Sequence, residues 1–232
     1  MKIHKLSQSS IKRAAKVLKE GGIVCFPTDT IYGLLSLANN KEAVERLYSI
    51  RRPSGRPFLL LLPSPLWVKT LGLLAKEEHL LLMKLFNATF IFYKKNSIPL
   101  YLTRGRKSLA VRVPPATSEV CKLLNILDNP VVAPSANPEG EKPATTIKEA
   151  IEYFGDKIDL YINGGKRQGK ASSIVRVIYP HGLRLVREGN IPFENILTTF
   201  KGLKITSSFS SEAFPLEFSS LDPFDLPFLP HH

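Results

Sequence analysis

The sequence predicts an α/β domain, with helices packed around a largely buried sheet. Short runs of β-branched and apolar residues alternate along the chain with segments in which apolar residues recur at helical spacing. Hydrophobic residues make up 44% of the 232 residues, which is enough for a sizeable core and unlike a disordered chain. Because no apolar run reaches about 18 residues, no membrane-spanning helix is predicted.

The first predicted helix covers residues 9–20, where Ile11, Ala14 and Leu18 share one helical face between a serine and Gly21. The same spacing predicts further helices over residues 41–50, 75–86, 118–127 and 145–155. Apolar and β-branched runs predict strands over residues 23–27, 58–62, 89–94, 109–114, 129–137, 159–163, 173–179 and 183–188. The sequence alone does not order these strands within the sheet.

The composition changes after about residue 203, which divides the chain into a folded domain, residues 1–200, and a C-terminal tail, residues 203–232. The tail is rich in serine, proline and phenylalanine, and it contains four acidic residues against the single lysine Lys204. It has no clear period. Extended packing of the tail across a basic body and simple disorder both remain open.

The formal net charge of +12 predicts a polyanionic partner, such as nucleic acid, or an anionic substrate, such as a nucleotide. Cys25 and Cys121 lie in apolar segments and are interpreted as buried, reduced thiols of a cytoplasmic protein. The N-terminal stretch MKIHKLSQSS has no apolar signal core, so secretion is not expected. The five histidines are scattered without zinc-ligand spacing, so no protein-bound metal is predicted.

Three of the apolar runs end in small polar residues. Because ligands of α/β sheets are held where strands end and loops begin, these ends are candidate binding positions. Hydroxyl and amide groups there can donate to phosphate or carboxylate and accept from an ammonium. Each end taken alone is better explained as a turn cap or Asx-turn, but the three together favour a binding site. The ends in question are Thr28 and Thr30 after IVCFP, Ser135 and Asn137 after VVAP, and Ser172 after the glycine-rich loop 163–169.

Arginines add an anion-binding character to the same regions. Arg52 and Arg56 lie among prolines between a helix and a strand, and Arg187 ends the strand LRLV. Arg112 lies inside the apolar strand LAVRV, where a guanidinium is costly unless it is paired or binds an anion. A surface-facing position on a half-exposed strand is the alternative for Arg112. Arg51, taken alone, is interpreted as a solvated helix end.

The stretch GGKRQGKA, residues 164–171, is close to a phosphate-binding P-loop but is not one. Ala171 stands where the magnesium-binding hydroxyl belongs, and a strand-like segment follows where a helix is required. No arrangement of a nucleophile with a histidine and an acid is evident either. The chemistry is therefore expected to depend on arginines and hydroxyls that position anions and stabilise charge.

Six stretches together resemble the YrdC/Sua5 family, the L-threonylcarbamoyladenylate synthases, over about residues 8–195. They occur in the family's order: GGIVCFPTDTIYGL, RPSGRPF, SLAVRVP, VVAPSANPEG, INGG with GKASSIVRV, and LVREGNI. The resemblance implies a twisted, open mixed sheet flanked by helices with a large basic cavity. Because the tail is much shorter than the C-terminal domain of Sua5, the short YrdC-type architecture is expected.

The resemblance implies an activity as well. Such enzymes condense L-threonine, bicarbonate and ATP into threonylcarbamoyladenylate and pyrophosphate, with Mg²⁺ accompanying the ATP. A partner transferase complex then moves the threonylcarbamoyl group to adenosine 37 of tRNAs that read ANN codons. The alternative is an RNA- or tRNA-binding relative with weakened or lost catalysis. A domain related to hydrogenase maturation fits less well, because the chain lacks the acylphosphatase and zinc-finger segments of those proteins.

The resemblance also assigns roles to residues. It places threonine at Thr28, Thr30, Arg112 and Ser172, and it makes Arg52 and Arg56 catalytic arginines near the ATP phosphates. It places the nucleotide at Arg52, Arg56, Ser108, Ser135, Asn137 and Arg187. The chain departs from the family pattern at Arg51, which alone can replace the usual lysine, and in the segment LFNATF, residues 85–90. These assignments require that Arg112, Ser135 and Arg187 converge on one electropositive hollow.

Overall fold

The computed structural model describes residues 2–52, 54–95 and 98–210, with the side chains of the last helix described through residue 204. The helices are α1 Gln8–Lys19, α2 Lys41–Arg51, α3 Trp67–Thr70, α4 Glu77–Leu85, α5 Leu100–Thr103, α6 Glu119–Leu127, α7 Ile147–Phe154 and α8 Phe193–Ser210. The strands are β1 Ile3–Lys5, β2 Val24–Pro27, β3 Tyr32–Leu37, β4 Leu60–Leu61, β5 Thr89–Tyr93, β6 Ser108–Arg112, β7 Val131–Val132, β8 Leu160–Asn163, β9 Ile174–Ile178 and β10 Gly182–Arg187.

Side-chain caps fix where the predicted helices begin. Ser7 accepts a hydrogen bond from the Ser10 amide at the start of α1, and Asn40 accepts one from the Ala43 amide at the start of α2. Ser118 caps α6 in the same way, and Thr146 forms a reciprocal capping box at α7. Each of these helices therefore begins within two residues of its predicted start.

The ten strands form one mixed sheet in the order β1-β8-β2-β3-β7-β4-β6-β5-β9-β10. Neighbours pair in parallel at β1–β8, β2–β8, β4–β6 and β5–β9, and in antiparallel fashion elsewhere. The sheet is open in the described chain, because β1 and β10 each pair with a single neighbour. The predicted α/β class with a mixed sheet flanked by helices is confirmed.

Two apolar layers cover the two faces of the sheet. Val24 and Phe26 of β2 belong to the apolar cluster that includes α1 and α6, whereas Ile23 and Cys25 belong to the larger cluster that includes residues of α2, α4, α7 and α8. This alternation follows from the two-residue period of a strand, which directs successive side chains to opposite faces. Since both faces are covered, the central strands are apolar throughout, as their sequences indicate.

The structure adds elements to those predicted from the sequence. Strands β1 and β3, the short helices α3 and α5, and helix α8 were not among the predicted elements. Helix α8 continues to Ser210 and so includes the first residues of the predicted tail, which are helical rather than extended. Residues 211–232 lie outside the described residues, and the tail there stays a prediction. Across the described part of the chain, no helix has the length and apolar character needed to cross a membrane.

Candidate active site

A cavity of about 240 Å³ opens where several strands end, and it brings together most of the predicted site residues. Seven of them line it: Thr28, Thr30, Arg52, Arg112, Ser135, Ser172 and Arg187. They come from the β2–β3 turn, the segment after α2, the end of β6, the loop after β7, the loop before β9 and the end of β10. The required convergence of Arg112, Ser135 and Arg187 on one hollow is therefore present in the structure.

The β2–β3 turn directs the Thr30 hydroxyl toward the cavity, whereas the Thr28 hydroxyl forms hydrogen bonds within the turn. The Thr28 hydroxyl donates to the Ile31 carbonyl (2.6 Å) and accepts from the amides of Thr30 and Ile31. Its oxygen lies 3.2 Å from the Thr30 hydroxyl oxygen. Because the single proton of Thr28 is already donated to Ile31, Thr28 does not donate to the Thr30 hydroxyl. The lone pairs of the Thr30 oxygen are then left to accept from a ligand.

Arg112 is buried, with 3% of its surface exposed, and it is paired rather than solvated. Its Nη2 forms an ion pair with Asp29 Oδ2, and its Nε donates to Asn87 Oδ1 at 2.9 Å. Burial lowers the pKa of Arg112, and the Asp29 carboxylate opposes that shift. The alternative of a surface-facing arginine is wrong, because a guanidinium on this buried strand needs a counter-charge.

Two glycine-containing segments form the wall around Ser172. Its hydroxyl lies 2.8 Å from that of Thr89, and its carbonyl accepts from Arg187 Nη2 at 2.9 Å. A Cβ on Gly189 would lie 2.6 Å from the Ser172 carbonyl carbon, so only glycine allows this approach. A Cβ on Gly169 would likewise lie 2.6 Å from the Thr30 Cα. The glycine-rich loop therefore packs by its backbone against Thr30, a cavity residue, without itself being among the described residues that line the cavity.

Arg52 lies at the mouth of the cavity beside an acidic residue. Its Nη1 donates to the carbonyls of Arg56 and Pro57 (both 3.3 Å), and its guanidinium lies over the Phe58 ring. Its Nε lies 3.9 Å from Glu139 Oε1. Burial lowers the pKa of Arg52, and Glu139 opposes that shift. The cavity thus contains a partly desolvated cation whose counter-charge is a surface carboxylate that also accepts a hydrogen bond from the Ser54 hydroxyl.

The interpretation of Arg51 as a solvated helix end is wrong. Arg51 is 4% exposed, and its side chain turns toward the segment after β7. Nε donates to the Ser135 carbonyl at 3.0 Å, and Nη2 lies 3.3 Å from Ser135 Oγ and 3.4 Å from Asn137 Oδ1. Burial, together with nearby Arg52, lowers the pKa of Arg51 to about 10. Arg51 thus holds the Ser135–Asn137 segment in place.

Three predicted residues do not line the cavity among the described residues: Arg56, Ser108 and Asn137. Arg56 is exposed. Ser108 lies at the opposite end of β6 from Arg112 and accepts from Arg176. The Asn137 amide donates to the carbonyls of Pro138 and Glu141, so it shapes its own loop. Their assigned roles at the nucleotide, and that of Arg56 in catalysis, stay predictions.

Sequence reasoning placed Asp29 beside Thr28 and Thr30 at a strand end but gave it no role, and it did not identify Asn87 and Glu139. Asp29 lies within the PTDT stretch, and Asn87 lies two residues before the start of β5. The signal available was Arg112 itself, since a buried guanidinium implies a carboxylate partner somewhere in the chain. In the described residues, no group of three or more histidine, cysteine or acidic side chains could hold a metal ion.

Comparison with known proteins identifies relatives of this chain. The Sua5/YciO/YrdC family model, described as "Telomere recombination", matches residues 16–189. The chain is 32% identical to the threonylcarbamoyl-AMP synthase of Pyrococcus abyssi over 196 residues, covering 83% of this chain and 57% of that protein. It is also 32% identical to the enzyme of the same name from Hydrogenovibrio crunogenus, covering 62% of this chain and 81% of that protein.

Solved structures show the same fold. The crystal structure of P. abyssi Sua5 complexed with L-threonine matches with a TM-score of 0.78 and 30% identity, over 86% of this chain and 61% of that one. The crystal structure of E. coli YciO matches with a TM-score of 0.72 and 25% identity, over 84% of this chain and all of that one. The chain therefore spans less than two thirds of the P. abyssi protein and the full length of YciO.

Proposed function

This chain belongs to the Sua5/YciO/YrdC family, and on that premise we propose that it is a threonylcarbamoyl-AMP synthase. The observation that supports this most is the convergence of seven predicted residues on one cavity. One end of the cavity has three hydroxyls beside a buried guanidinium, which suits the binding of an amino acid. Its residues are Thr28, Thr30, Arg112 and Ser172. Arg52, Ser135 and Arg187 add two further guanidiniums and a hydroxyl, which suit phosphates.

The proposed reaction proceeds in two steps. The neutral amine of L-threonine attacks bicarbonate with loss of water, or carbon dioxide with loss of a proton, and forms a carbamate. A carbamate oxygen then attacks the α-phosphorus of ATP in line, and pyrophosphate leaves. The residues need not form a covalent intermediate, because such a transfer depends on positioning and on neutralisation of charge.

The geometry suggests how each group acts. The free lone pairs of Thr30 accept from the substrate amine and hold its nitrogen within the cavity. Arg112, fixed by Asp29 and Asn87, donates to the substrate carboxylate. Arg52 and Arg187 stabilise the negative charge that develops on the phosphoryl oxygens. Arg52 is partly buried, so its charge acts more strongly than it would in water, whereas Arg187 is exposed.

Mg²⁺ is proposed to enter with ATP as part of the substrate. Magnesium retains several waters and is usually bound through substrate phosphates and one or two carboxylates. The ion would offset phosphate charge alongside the arginines.

The product would serve tRNA modification. We propose that a threonylcarbamoyl transferase complex takes the adenylate and modifies adenosine 37 of ANN-decoding tRNAs. Because ATP and tRNA are both cytoplasmic, the same compartment is proposed for this chain.

The test is threonine-dependent pyrophosphate release by the purified protein with ATP, bicarbonate and Mg²⁺, with the adenylate identified by mass spectrometry. Thr30→Val is expected to reduce the rate, because it removes the hydroxyl that faces the cavity. Thr198→Val, at an exposed position of α8, is the matched control and is expected to leave the rate unchanged. Pyrophosphate release that is absent, or that does not depend on threonine, would overturn the proposal.

A second candidate, RNA binding without synthesis, is favoured by the net charge of +12. Lys166 and Lys170 of the glycine-rich loop are exposed near the cavity. This candidate predicts tRNA affinity that falls steeply with salt and survives Thr30→Val and Ser172→Ala. Affinity that is absent or independent of salt would exclude it.

A further inference from the structure

Residues 87–89, at the start of β5, contact two residues proposed to bind the amino acid, Arg112 and Ser172, without being among the described residues that line the cavity. Asn87 does not line the cavity, yet its amide is in contact with both members of the buried ion pair. Its Oδ1 accepts from Nε and Nη2 of Arg112, and its Nδ2 donates to Asp29 Oδ2 at 2.8 Å. One amide therefore holds the cation and its counter-ion in a fixed arrangement.

This arrangement decides which end of Arg112 is left for a ligand. Nε is used by Asn87, and Nη2 is used by both Asn87 and Asp29. Nη1 has no hydrogen-bond partner among the described residues, and Arg112 lines the cavity. The guanidinium can therefore offer the N–H groups of Nη1 to an anion, while its other edge is already occupied.

Two residues further along, Thr89 contacts the opposite wall. Its hydroxyl lies 2.8 Å from that of Ser172, and its amide donates to the Ser173 carbonyl at 2.8 Å. Thr89 is 3% exposed, and it too is absent from the described cavity lining. Segment 87–89 thus joins Arg112 on one side of the cavity to Ser172 on the other.

We infer that Asn87 and Asp29 are positioning residues for Arg112, and Thr89 for Ser172, so that segment 87–89 sets the affinity for the amino acid substrate without contacting it. This inference rests on the proposed function. An arginine side chain is long and flexible, but that of Arg112 is already held at Nε and Nη2. It therefore loses little further conformational entropy when Nη1 binds a carboxylate. ATP contacts at Arg52 do not depend on this segment.

The test measures the two substrates separately in Asn87→Ala, Asp29→Asn and Thr89→Val. Asn87→Ala is expected to raise the KM for threonine and its Kd from calorimetry by about 10- to 100-fold, the range for hydrogen bonds to a charged group. The KM for ATP should change less than about threefold. Thr89→Val should raise the KM for threonine by about three- to tenfold, as expected for a neutral hydrogen bond. Asn125→Ala, an exposed asparagine on α6, is the matched control.

Melting temperatures identify any variant that fails to fold, and Asn87→Asp gives a second, independent measurement. The aspartate keeps an acceptor for Arg112 but places a second carboxylate against Asp29 and beside the anion-binding guanidinium, so its threonine Kd should rise at least as much as that of Asn87→Ala. A threonine Kd within twofold of wild type in folded Asn87→Ala overturns the inference, as does an equal rise in KM for both substrates. Wild-type protein that neither binds threonine nor releases pyrophosphate would instead overturn the proposed function.

Discussion

The strongest stability prediction concerns the buried pair of Arg112 and Asp29. Their side chains are 4% and 12% exposed, so each charge depends on the other and on Asn87 rather than on water. Arg112→Met leaves a carboxylate without its cation, and Asp29→Asn leaves a cation without its carboxylate. Removing one partner of a buried pair costs about 3–5 kcal/mol. For a chain of this size the melting temperature should fall by about 6–20 °C.

The double variant separates the charge interaction from simple loss of packing. With neither charge present, Asp29→Asn/Arg112→Met should be no less stable than Arg112→Met alone. The coupling free energy of the cycle should be about 3 kcal/mol. Lys16 and Glu20 form an ion pair on α1 whose side chains are 77% and 62% exposed. The same cycle there should give a coupling below about 1 kcal/mol.

The assay is urea unfolding at neutral pH, followed by far-ultraviolet circular dichroism, for the wild type and the three variants of each cycle. If the slope of unfolding free energy against urea concentration is the same in all variants, their free energies of unfolding can be compared directly. If the single effects at Arg112 and Asp29 add to within about 0.5 kcal/mol, the pair is not coupled. The account of Arg112 as a residue held by its counter-ion would then be refuted.

Three further outcomes are expected. Burial lowers the pKa of His79 to about 4 from 6.5, so the unfolded chain binds a proton that the folded chain excludes, and stability should fall as pH drops from 6.5 toward 4. Urea midpoints at pH 7 and pH 5 should show this loss, and an equal loss in His79→Asn would contradict it. Glu139→Gln should lower the KM for ATP about two- to fivefold, because the exposed carboxylate competes with phosphates for Arg52; an unchanged or higher KM would contradict this. Gly189→Ala should lower the melting temperature and raise the KM for threonine, because the new methyl group displaces Ser172. A melting temperature and a KM for threonine equal to those of the wild type would show that the backbone around Gly189 shifts without displacing Ser172.

Local patterns were sufficient for most helices and strands. Caps such as Ser7 and Thr146 act within three residues, and the spacing of apolar residues reports the face that each element buries. Strand β3 was missed because YGLLSL contains a glycine and a serine and no β-branched residue, which weakens its strand signal. The predicted site residues on strand ends were found because polar groups at those positions are visible in the sequence.

The sequence by itself determined the class of fold, the positions of the main elements and the set of hydroxyls and arginines from which a site can form. Only the tertiary structure decided which of these converge and what each is paired with. Arg51 is a helix end by local pattern, yet it is buried against Ser135, 84 positions away. Asn87 and Asp29 are separated by 58 positions and meet at Arg112. Such pairings arise from strand order and burial, and short-range periodicity contains no information about either.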